Sequence, residues 1–403
     1  MACLPEWKKN LAVMWFAQLA GMGAITGVMA FLPLYIADLG ITSLEETEMW
    51  SGILLGTASL TAALAGPHWG VLADRKGRKP MVERVMLAFF IVMVGMGFVA
   101  NVYQLFFLRI IQGVFGGFSA AALALVTSIT PPDQINFTLG IFQTAMIAGS
   151  AFGPMFGGLI SDHFGYRWAF IAFGLLCLLS LVIIRTAVNE RFVPAPQAAK
   201  QPVWKEIRQI IAIRGLGLML AIQFFVQFSV MVIAPVLPLY VHHLAPDLFY
   251  IASTCGAIVA AAGLTSAVAS AAMGKLANRL EHRTILVVAS VLAALCFAAQ
   301  AMADSVAVLG VMRGLSGFFL GAMLPTINAV VFFLIPPAKR GVAFGITNGA
   351  MQLGNVVGPL TGGVAAIYLN IPAVFWLSAL LFAAVAVIAA STRPVVAPDE
   401  QAS

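Results

Sequence analysis

The chain of 403 residues is 61% hydrophobic and 9% charged. Ordinary soluble domains contain roughly 25% charged residues, so this composition excludes a water-soluble globular protein and indicates an integral membrane protein. The formal net charge of +6 does not indicate a nucleic-acid-binding protein, because no loop combines clustered basic residues with interleaved aromatic ones.

Apolar segments long enough to cross about 30 Å of hydrocarbon recur along the whole chain. We predict twelve transmembrane helices, six in each half, and therefore an all-α integral membrane protein. In chain order the predicted spans are Leu11–Ala37, Trp50–Ala73, Met81–Ala100, Leu105–Val126, Phe137–Ile160, Trp168–Thr186, Ile213–Val241, Ile251–Leu276, Thr284–Ala303, Val306–Leu334, Val342–Ala366 and Ile371–Ala390.

The positions of lysine and arginine predict the orientation, because cytoplasmic loops accumulate these residues. If the N-terminus is cytoplasmic, all but three of the 22 Lys and Arg residues fall on the cytoplasmic side or at its edge. We therefore predict a multi-pass protein of a bacterial-type inner (plasma) membrane with both termini in the cytoplasm. No cleavable signal peptide is expected, since the stretch that begins at Leu11 is too long for the apolar core of one.

Residues of the first half return in the second half about 205 positions later. Leu32–Tyr35 returns as Leu237–Tyr240, and the glycines of Gly149–Gly158 return in Gly354–Gly363. We predict two pseudo-symmetric halves, residues 1–188 and 213–403, joined by a cytoplasmic linker of residues 189–212. Within the linker, residues 203–211 have the spacing of an amphipathic surface helix, and a plain tether fits them equally well.

The loop between the second and third spans carries a distinctive pattern. It reads Gly70-Val71-Leu72-Ala73-Asp74-Arg75-Lys76-Gly77-Arg78-Lys79-Pro80. This pattern resembles the loop signature of the major facilitator superfamily, whose fold has two six-helix halves. In that family the aspartate helps to latch the halves on the cytoplasmic side, which implies a gating role for Asp74. Gly70 would let a neighbouring helix approach closely, Gly77 would permit a turn of positive φ, and Arg75 and Arg78 would hold the loop in the cytoplasm.

Two arginines lie inside predicted spans, Arg109 in the fourth and Arg313 in the tenth. A buried arginine costs roughly 2.5–3.5 kcal/mol on insertion scales, so such residues are generally paired and functional. The alternative is a side chain that snorkels to the outer interface. Many superfamily members carry an arginine at the position of Arg109, which implies function, and Arg313 is its repeat partner.

The fifth span contains a run of small residues around a proline. Its members are Gly149, Gly153, Pro154, Gly157 and Gly158. Glycines at this spacing allow close helix contact, so helix packing alone is one interpretation. Within the superfamily, however, the motif resembles the antiporter signature of drug:proton exporters. The stretches Phe31–Tyr35, Trp50–Ile53 and Trp69–Lys79 are similar to the MdtG-type multidrug-resistance transporters.

Polar side chains inside the spans suggest a substrate cavity. The candidates are Gln18, Gln112, Gln143, Gln223, Gln227, Asn328, Asn348 and Gln352, with Phe228 as part of an apolar wall. An apolar lining with a few hydrogen-bonding groups suits bulky lipophilic molecules better than sugars. Amides of this kind also bond helix to helix, and for any one of them the two interpretations are balanced.

A proton antiporter needs a group that titrates while substrate binds and leaves. No Asp or Glu lies in the middle of a predicted span, so the candidates are peripheral. They are Asp38, His68, Asp74, Glu83 and Asp162. Proton coupling is therefore implied by the resemblance more than by the residues.

The sequence thus predicts a secondary transporter that exports lipophilic compounds in exchange for protons by alternating access. Substrate would bind near the membrane midplane between the halves. The alternatives are a facilitator or importer of a metabolite, amphipath or lipid, and a transporter-like receptor. An enzyme is not expected, because no nucleophile–base or metal-ligand set converges within the spans. We expect no cofactor and no metal, and a monomer whose partners are a small lipophilic substrate, protons and the lipid bilayer.

Overall fold

The computed structural model describes residues 5–131, 134–190, 208–213, 215–276, 281–335 and 340–391. Within these ranges the secondary structure is helical and contains no strand. The helices are α1 (Glu6–Gly27), α2 (Leu32–Asp38), α3 (Leu44–Lys76), α4 (Lys79–Gly97), α5 (Val102–Val114), α6 (Phe118–Ser128), α7 (Ile135–Phe164), α8 (Tyr166–Ala187), α9 (Leu216–Met231), α10 (Leu237–Leu244), α11 (Ile251–Leu276), α12 (His282–Ala301), α13 (Val306–Leu334), α14 (Arg340–Leu369) and α15 (Ile371–Ser391). Nine helical segments of the described chain are long and apolar enough to cross a membrane. The prediction of an all-α membrane protein is confirmed.

Contacts divide the chain into two compact units. The first consists of Met1–Pro196 and Val241–Ala260, and the second of Gln197–Tyr240 and Ala261–Ser403. In the first unit, α1 packs against α7 and α8, α4 packs against α8, and α3 packs against α5. In the second unit, α9 packs against α14 and α15, and α12 packs against α13 and α15. The first unit's α1–α7 and α4–α8 pairs thus have repeat counterparts in the second, α9–α14 and α12–α15.

Two predicted single spans are each broken at the repeated Leu-Pro sequence. The first span is α1, a short 3-10 turn at Val28–Ala30, and then α2, which begins at Leu32. The seventh span is likewise divided into α9 and α10, and α10 begins at Leu237. Proline has no backbone N–H and is favoured in the first turn of a helix, so a new helix starts at each of these sites. Hydropathy cannot detect such a break, because the residues on both sides are apolar.

The predicted fourth span is also interrupted, between α5 and α6. Gly117 adopts φ 85°, a conformation that glycine takes at no steric cost. Trp69 Nε1 donates a 2.7 Å hydrogen bond to the Val114 carbonyl. Arg84 Nη2 donates weakly to the carbonyls of Phe115 and Gly116, at 3.5 and 3.4 Å. Side chains of α3 and α4 therefore satisfy carbonyls that the break in the helix sets free.

A tyrosine hydroxyl holds the end of one span in each unit. Tyr35 donates a 2.8 Å hydrogen bond to the carbonyl of Met96, near the end of α4. Its repeat partner Tyr240 donates to the carbonyls of Gln300 and Ala303, at 3.2 and 3.3 Å, at the end of α12. Tyr35 thus gives the Met96 carbonyl a donor from another helix. Tyr240 gives one to the Ala303 carbonyl and adds a second donor to the Gln300 carbonyl, which also accepts from the Ala303 N–H.

Replacing Tyr35 or Tyr240 with phenylalanine is expected to lower the free energy of unfolding by about 1–2 kcal/mol each, because a buried carbonyl loses its donor. Thermal unfolding in detergent measures the effect. Tyr103 and Tyr368 are exposed, so the same substitution there is the control. Equal melting temperatures for Tyr35→Phe and Tyr103→Phe would contradict the role given to the Tyr35 hydroxyl.

The linker between the predicted halves is only partly described. Of the predicted surface helix at residues 203–211, residues 208–211 are helical and residues 203–207 lie outside the described part of the chain. The choice between a surface helix and a tether therefore stays open, as do the predicted domain boundaries.

Candidate functional site

The loop motif begins within the last two turns of α3 and continues past the end of that helix at Lys76. Gly77 follows the helix with φ 95°, and its N–H donates a 3.0 Å hydrogen bond to the Ala73 carbonyl. This is the turn of positive φ that the motif predicts. The surroundings of Gly70 and the side chains of Asp74 and Arg75 lie outside the described parts of α3. The gating role of Asp74 therefore stays a prediction.

A carboxylate that the motif does not contain secures the other side of the loop. Glu190 accepts hydrogen bonds from the backbone N–H groups of Arg78, at 2.9 Å, and Lys79, at 2.8 Å. Lys79 Nζ in turn donates to the carbonyls of Arg185 and Val188, at 3.1 and 2.7 Å. An anion at the start of α4 is favourable, since free N–H groups and the helix dipole meet there. The loop is thus tied to the end of α8, and sequence reasoning missed Glu190 because it lies 112 residues from Arg78.

Arg109 is buried within the first unit. The side chain is 3% exposed, and Nη1 donates a 2.9 Å hydrogen bond to Oε1 of Gln112, one turn further along α5. Its Nε and Nη2 groups are buried and have no hydrogen-bond partner among the described residues. This arrangement differs from that of a snorkelling side chain, which keeps its charged end in contact with water. The guanidinium therefore lies inside the protein, and its Nε and Nη2 groups remain available to donate hydrogen bonds.

Arg313 occupies the repeated position in the second unit with a different environment. It is 8% exposed, and its guanidinium carbon lies 5.5 Å from the centre of the Phe297 ring. That ring is stacked on Phe382, with ring centres 5.1 Å apart. A cation over an aromatic face is stabilised by the ring quadrupole. Arg313 Nη1 is nevertheless buried without a hydrogen-bond partner in the described chain.

The glycines of the fifth-span motif bring α7 against the backbone of α1. A Cβ atom added to Gly149 would lie 2.8 Å from the Leu19 carbonyl oxygen, and one added to Gly153 would lie 2.9 Å from that of Gly23. At Gly157 it would collide with the carbonyl of Gly27. These distances are shorter than nonbonded carbon–oxygen contacts, so only glycine permits this approach.

The repeated motif does the same in the second unit. A Cβ added to Gly354 would lie 2.8 Å from the backbone nitrogen of Phe228, and one added to Gly358 would lie 3.1 Å from the carbonyl oxygen of that residue. At Gly362 it would collide with the Val232 carbonyl. The α14 helix is therefore seated on α9 as α7 is seated on α1.

The far end of α7 contacts the start of α11, which belongs to the first unit. Added Cβ atoms at Gly158 and Gly256 would collide with the carbonyls of Ala252 and Pro154, respectively. Beyond this contact, Asp162 Oδ2 accepts a 2.7 Å hydrogen bond from the backbone N–H of Ser253. A carboxylate is favourable there, because the free N–H groups of a helix start carry partial positive charge. The motif thus packs against two helices through Gly153, Gly157 and Gly158.

The predicted cavity amides of the first unit fall into two groups. Gln18 is fully buried on α1 and donates from Nε2 to Ser119 Oγ at 3.0 Å, while its Oε1 has no donor among the described residues. Gln112 Oε1 accepts the hydrogen bond from Arg109 described above. Gln143, in contrast, is exposed on α7. The three side chains do not form one cluster through any described hydrogen bond.

In the second unit, amides join α9 to α14. Gln227 Nε2 donates to Asn355 Oδ1 at 2.6 Å, and Asn355 Nδ2 donates to Gln352 Oε1 at 2.7 Å. Gln227 thus bonds one helix to another, as one of the two interpretations of these amides expects. Gln223 is 3% exposed, and its Oε1 has no donor among the residues that the structure describes.

The remaining cavity candidates of the second unit differ in exposure. Phe228 is buried and stacks on Phe224, with ring centres 5.7 Å apart. Asn328 and Asn348 are exposed.

The candidates for proton coupling are dispersed. Asp38 and His68 are exposed. Glu83 pairs with Lys79 at 3.7 Å, and Asp162 is engaged with Ser253 as described above. The Asp74 side chain lies outside the described residues.

A further acidic residue, Glu48, is buried on α3 and was not among the candidates. It is 2% exposed. The sequence offered only a weak signal, since Glu48 follows two other glutamates at the start of a helix, where acidic residues commonly complement the helix dipole.

Comparison with known proteins identifies the family. The sequence profile of the Major Facilitator Superfamily matches residues 14–263 and, a second time, residues 219–403. The multi-drug resistance efflux pump PmrA of Streptococcus pneumoniae serotype 4 is 34% identical over 381 residues, which cover 94% of this chain and 94% of PmrA. The multidrug resistance protein MdtG of Rahnella sp. is 32% identical over 379 residues, which cover 93% of this chain and 91% of MdtG.

Solved structures agree in fold. A bacterial homologue of the human lysosomal transporter Spinster matches with a TM-score of 0.80 at 15% identity, over 96% of this chain and 97% of that chain. The nucleoside transporter NupG matches with a TM-score of 0.79 at 12% identity, over 95% of this chain and 98% of that chain. The resemblance noted in the loop and fifth-span motifs is confirmed, and this chain belongs to the major facilitator superfamily.

Proposed function

We propose that this protein is a secondary transporter that exports lipophilic, neutral or cationic compounds across a bacterial inner membrane by alternating access. The observation that carries the proposal is the similarity to PmrA and MdtG over nearly the whole length of all three chains. Both of those proteins are named for multidrug resistance. The chain acts as a monomer with both termini in the cytoplasm, and its partners are the substrate, protons and the lipid bilayer.

The buried amides support a substrate that donates hydrogen bonds or carries positive charge. Gln18 and Gln223 are repeat partners, and each has a buried Oε1 without a donor in the described residues. An unpaired buried carbonyl oxygen costs roughly 1–3 kcal/mol, which a ligand N–H group or a cation would recover. Phe224 and Phe228 lie on the same helix as Gln223, α9, and their rings are stacked on each other. In this proposal they form the apolar part of the substrate site.

The energy source is an ion gradient, for which protons are the proposed ion. Two points support an ion gradient: no nucleotide-binding signature occurs in the sequence, and the resemblance of the fifth-span motif is to drug:proton exporters. A facilitator that moves its substrate without protons is the second candidate. It is favoured by the exposure of Asp38 and His68 and by the pairing of Glu83 with Lys79.

The proposal is tested in proteoliposomes with ethidium, an aromatic cation with amino groups, under an imposed pH gradient. Proteoliposomes that contain the wild-type protein are expected to accumulate ethidium, and this accumulation is expected to stop when an ionophore collapses the pH gradient. Gln18→Leu and Gln223→Leu are expected to slow this transport about tenfold, since about 1.4 kcal/mol of lost interaction corresponds to that factor. Thr186→Val is the matched control, because that hydroxyl bonds only within its own helix.

Three results would count against the proposal. Transport that continues after the gradient is collapsed would favour the facilitator. Wild-type protein that moves none of a broad panel of lipophilic compounds would remove the export function. Glutamine variants that transport ethidium at the wild-type rate would remove the role given to the two amides.

A further inference from the structure

Glu48 differs from its two acidic neighbours by facing the interior. The α3 helix begins at Leu44 after the cap residue Ser43, whose side chain accepts from the Glu46 N–H at 3.4 Å. Glu45 and Glu46 lie in the first turn and are exposed. Glu48 lies beyond that turn and is 2% exposed. The favourable effect of the helix dipole fades past the first turn, so capping explains the first two glutamates and leaves Glu48 unexplained.

The polar groups beside Glu48 are already occupied. Thr47 donates its hydroxyl hydrogen to the Ser43 carbonyl at 2.9 Å, and Ser51 donates to the Thr47 carbonyl at 2.6 Å. Neither hydroxyl therefore donates to the Glu48 carboxyl. Within the described chain, Glu48 takes part in no hydrogen bond and no ion pair.

Among the described residues, no Lys or Arg on the helices packed against α3 lies within ion-pair distance of the Glu48 carboxyl. These helices are α2, α4 and α5. Their charged and titratable side chains are Asp38 and Tyr35 on α2, Lys79, Glu83 and Arg84 on α4, and Arg109 and Tyr103 on α5. Glu45, three residues earlier on α3, lies on the same side of the helix and is a second carboxylate. The Glu48 side chain is almost entirely removed from solvent, and a carboxylate in that position without an ionic partner costs more free energy than the neutral acid.

We propose that Glu48 is a proton-binding site. Its carboxyl carries a proton in the conformation described here, and it exchanges that proton with water whenever transport exposes this end of α3. By the predicted orientation this end faces the outside, where the proton concentration is high during efflux. Proton binding then favours the conformation that buries Glu48, since a ligand shifts an equilibrium toward the state that binds it better. This proposal adds a proton-binding residue to the transport function proposed above. It rests on that function only for the transport assay below, and the infrared measurement does not depend on it.

The first test needs no substrate. Infrared spectra of purified protein at neutral pH in H₂O and D₂O isolate the carbonyl stretch of protonated carboxyl groups, to which ionised carboxylates do not contribute. Wild type is expected to show such a band, Glu48→Gln to lack it, and Glu45→Gln to keep it. The last variant is a matched control, because Glu45 is an exposed glutamate of the same helix. Identical spectra for wild type and Glu48→Gln would overturn the proposal.

The second test separates proton binding from a structural role. Glu48→Gln is expected to lose about tenfold or more of pH-gradient-driven ethidium transport while ethidium counterflow without a gradient continues. Glu48→Asp is expected to keep part of the driven transport, because it still binds a proton. A purely structural site would show the opposite order, since glutamine has the shape of glutamic acid and aspartate is shorter. That order, or unchanged driven transport in Glu48→Gln, would overturn the proposal.

Thermal unfolding measures whether the Glu48→Gln protein loses transport because it no longer folds. Glu48→Gln is expected to be at least as stable as wild type, and the difference is expected to grow as the pH rises from acidic to neutral, because the unfolded chain releases the Glu48 proton in that range whereas the folded wild type must hold it or ionise at a cost. A Glu48→Gln protein much less stable than wild type at all pH values would contradict the proposal. Wild-type protein without any ethidium transport would instead count against the proposed function, and the infrared band would still decide the state of Glu48.

Discussion

Replacing Gly157 with alanine is expected to destabilise the protein and to abolish efflux, whereas the same change at Gly140 is expected to do neither. Both residues lie on α7. A Cβ at Gly157 would collide with the carbonyl of Gly27, while a Cβ at Gly140 would have no described atom within 4 Å. Overpacking of a tight contact costs roughly 1–3 kcal/mol. The substitution at Gly140 replaces a poor helix former by the best one and should be neutral or slightly stabilising.

The second unit repeats this experiment within the same molecule. A Cβ at Gly362 on α14 would collide with the Val232 carbonyl, and at Gly349 on the same helix it would meet no described atom within 4 Å. Gly362→Ala is therefore expected to behave like Gly157→Ala, and Gly349→Ala like Gly140→Ala. Thermal unfolding in detergent and ethidium efflux in cells measure the two effects.

The glycine prediction separates two roles of the fifth-span motif. If Gly157→Ala unfolds at the wild-type temperature and exports normally, the close approach of α7 to α1 is not required. If it is stable but inactive, the contact serves the conformational cycle more than the fold. Loss of both properties, with the Gly140 and Gly349 variants unaffected, is the result expected from the backbone contacts.

Replacing Arg109 with methionine is expected to abolish transport without lowering stability. The side chain is buried, and among the described residues only its Nη1 group has a hydrogen-bond partner, Gln112. The substitution leaves the Gln112 side chain without its donor, which costs roughly 1–3 kcal/mol, but it also removes a buried charge whose desolvation costs several kcal/mol. A charge kept inside a membrane protein at such a cost generally serves substrate or ion movement. Stability and activity should therefore respond in opposite directions.

Efflux assays and thermal unfolding of Arg109→Met, Arg109→Lys and Arg167→Met test this expectation. Arg109→Lys keeps the charge but loses the planar group with several donors, so partial transport is expected. Arg167 is exposed, and its substitution is the control for loss of a positive charge. An Arg109→Met protein that transports normally would exclude a functional role, and one that is inactive because it no longer folds would make Arg109 a structural residue.

The sequence was sufficient for the class of protein, the repeat and the close contacts of the glycine motifs. Composition distinguishes a membrane protein from a water-soluble one. A repeat of residues such as Leu32–Tyr35 and Leu237–Tyr240 can be recognised without knowing how the helices pack. Glycines spaced by four residues lie on one helix face wherever that helix is placed. For the same reason the turn at Gly77 was predictable, because its signal is local.

The partner of each polar side chain depended on the rotation and depth of its helix, which hydropathy does not contain. Gln227 was paired across helices, Gln143 was exposed and Gln18 was buried, although all three looked alike as isolated amides in apolar segments. Glu190 reached its loop from 112 residues away.

Glu48 shows the same limit most clearly. The chain places three glutamates within one turn and a half at the start of α3, where acidic residues are common, so the sequence does not single out the one that the fold buries. Only the packing of α3 against its neighbours buries one of them and leaves the other two in water. Periodicity along a chain is a local property and was readable from the residues, whereas burial and partnership arise from contacts between distant segments and were decided by the tertiary structure.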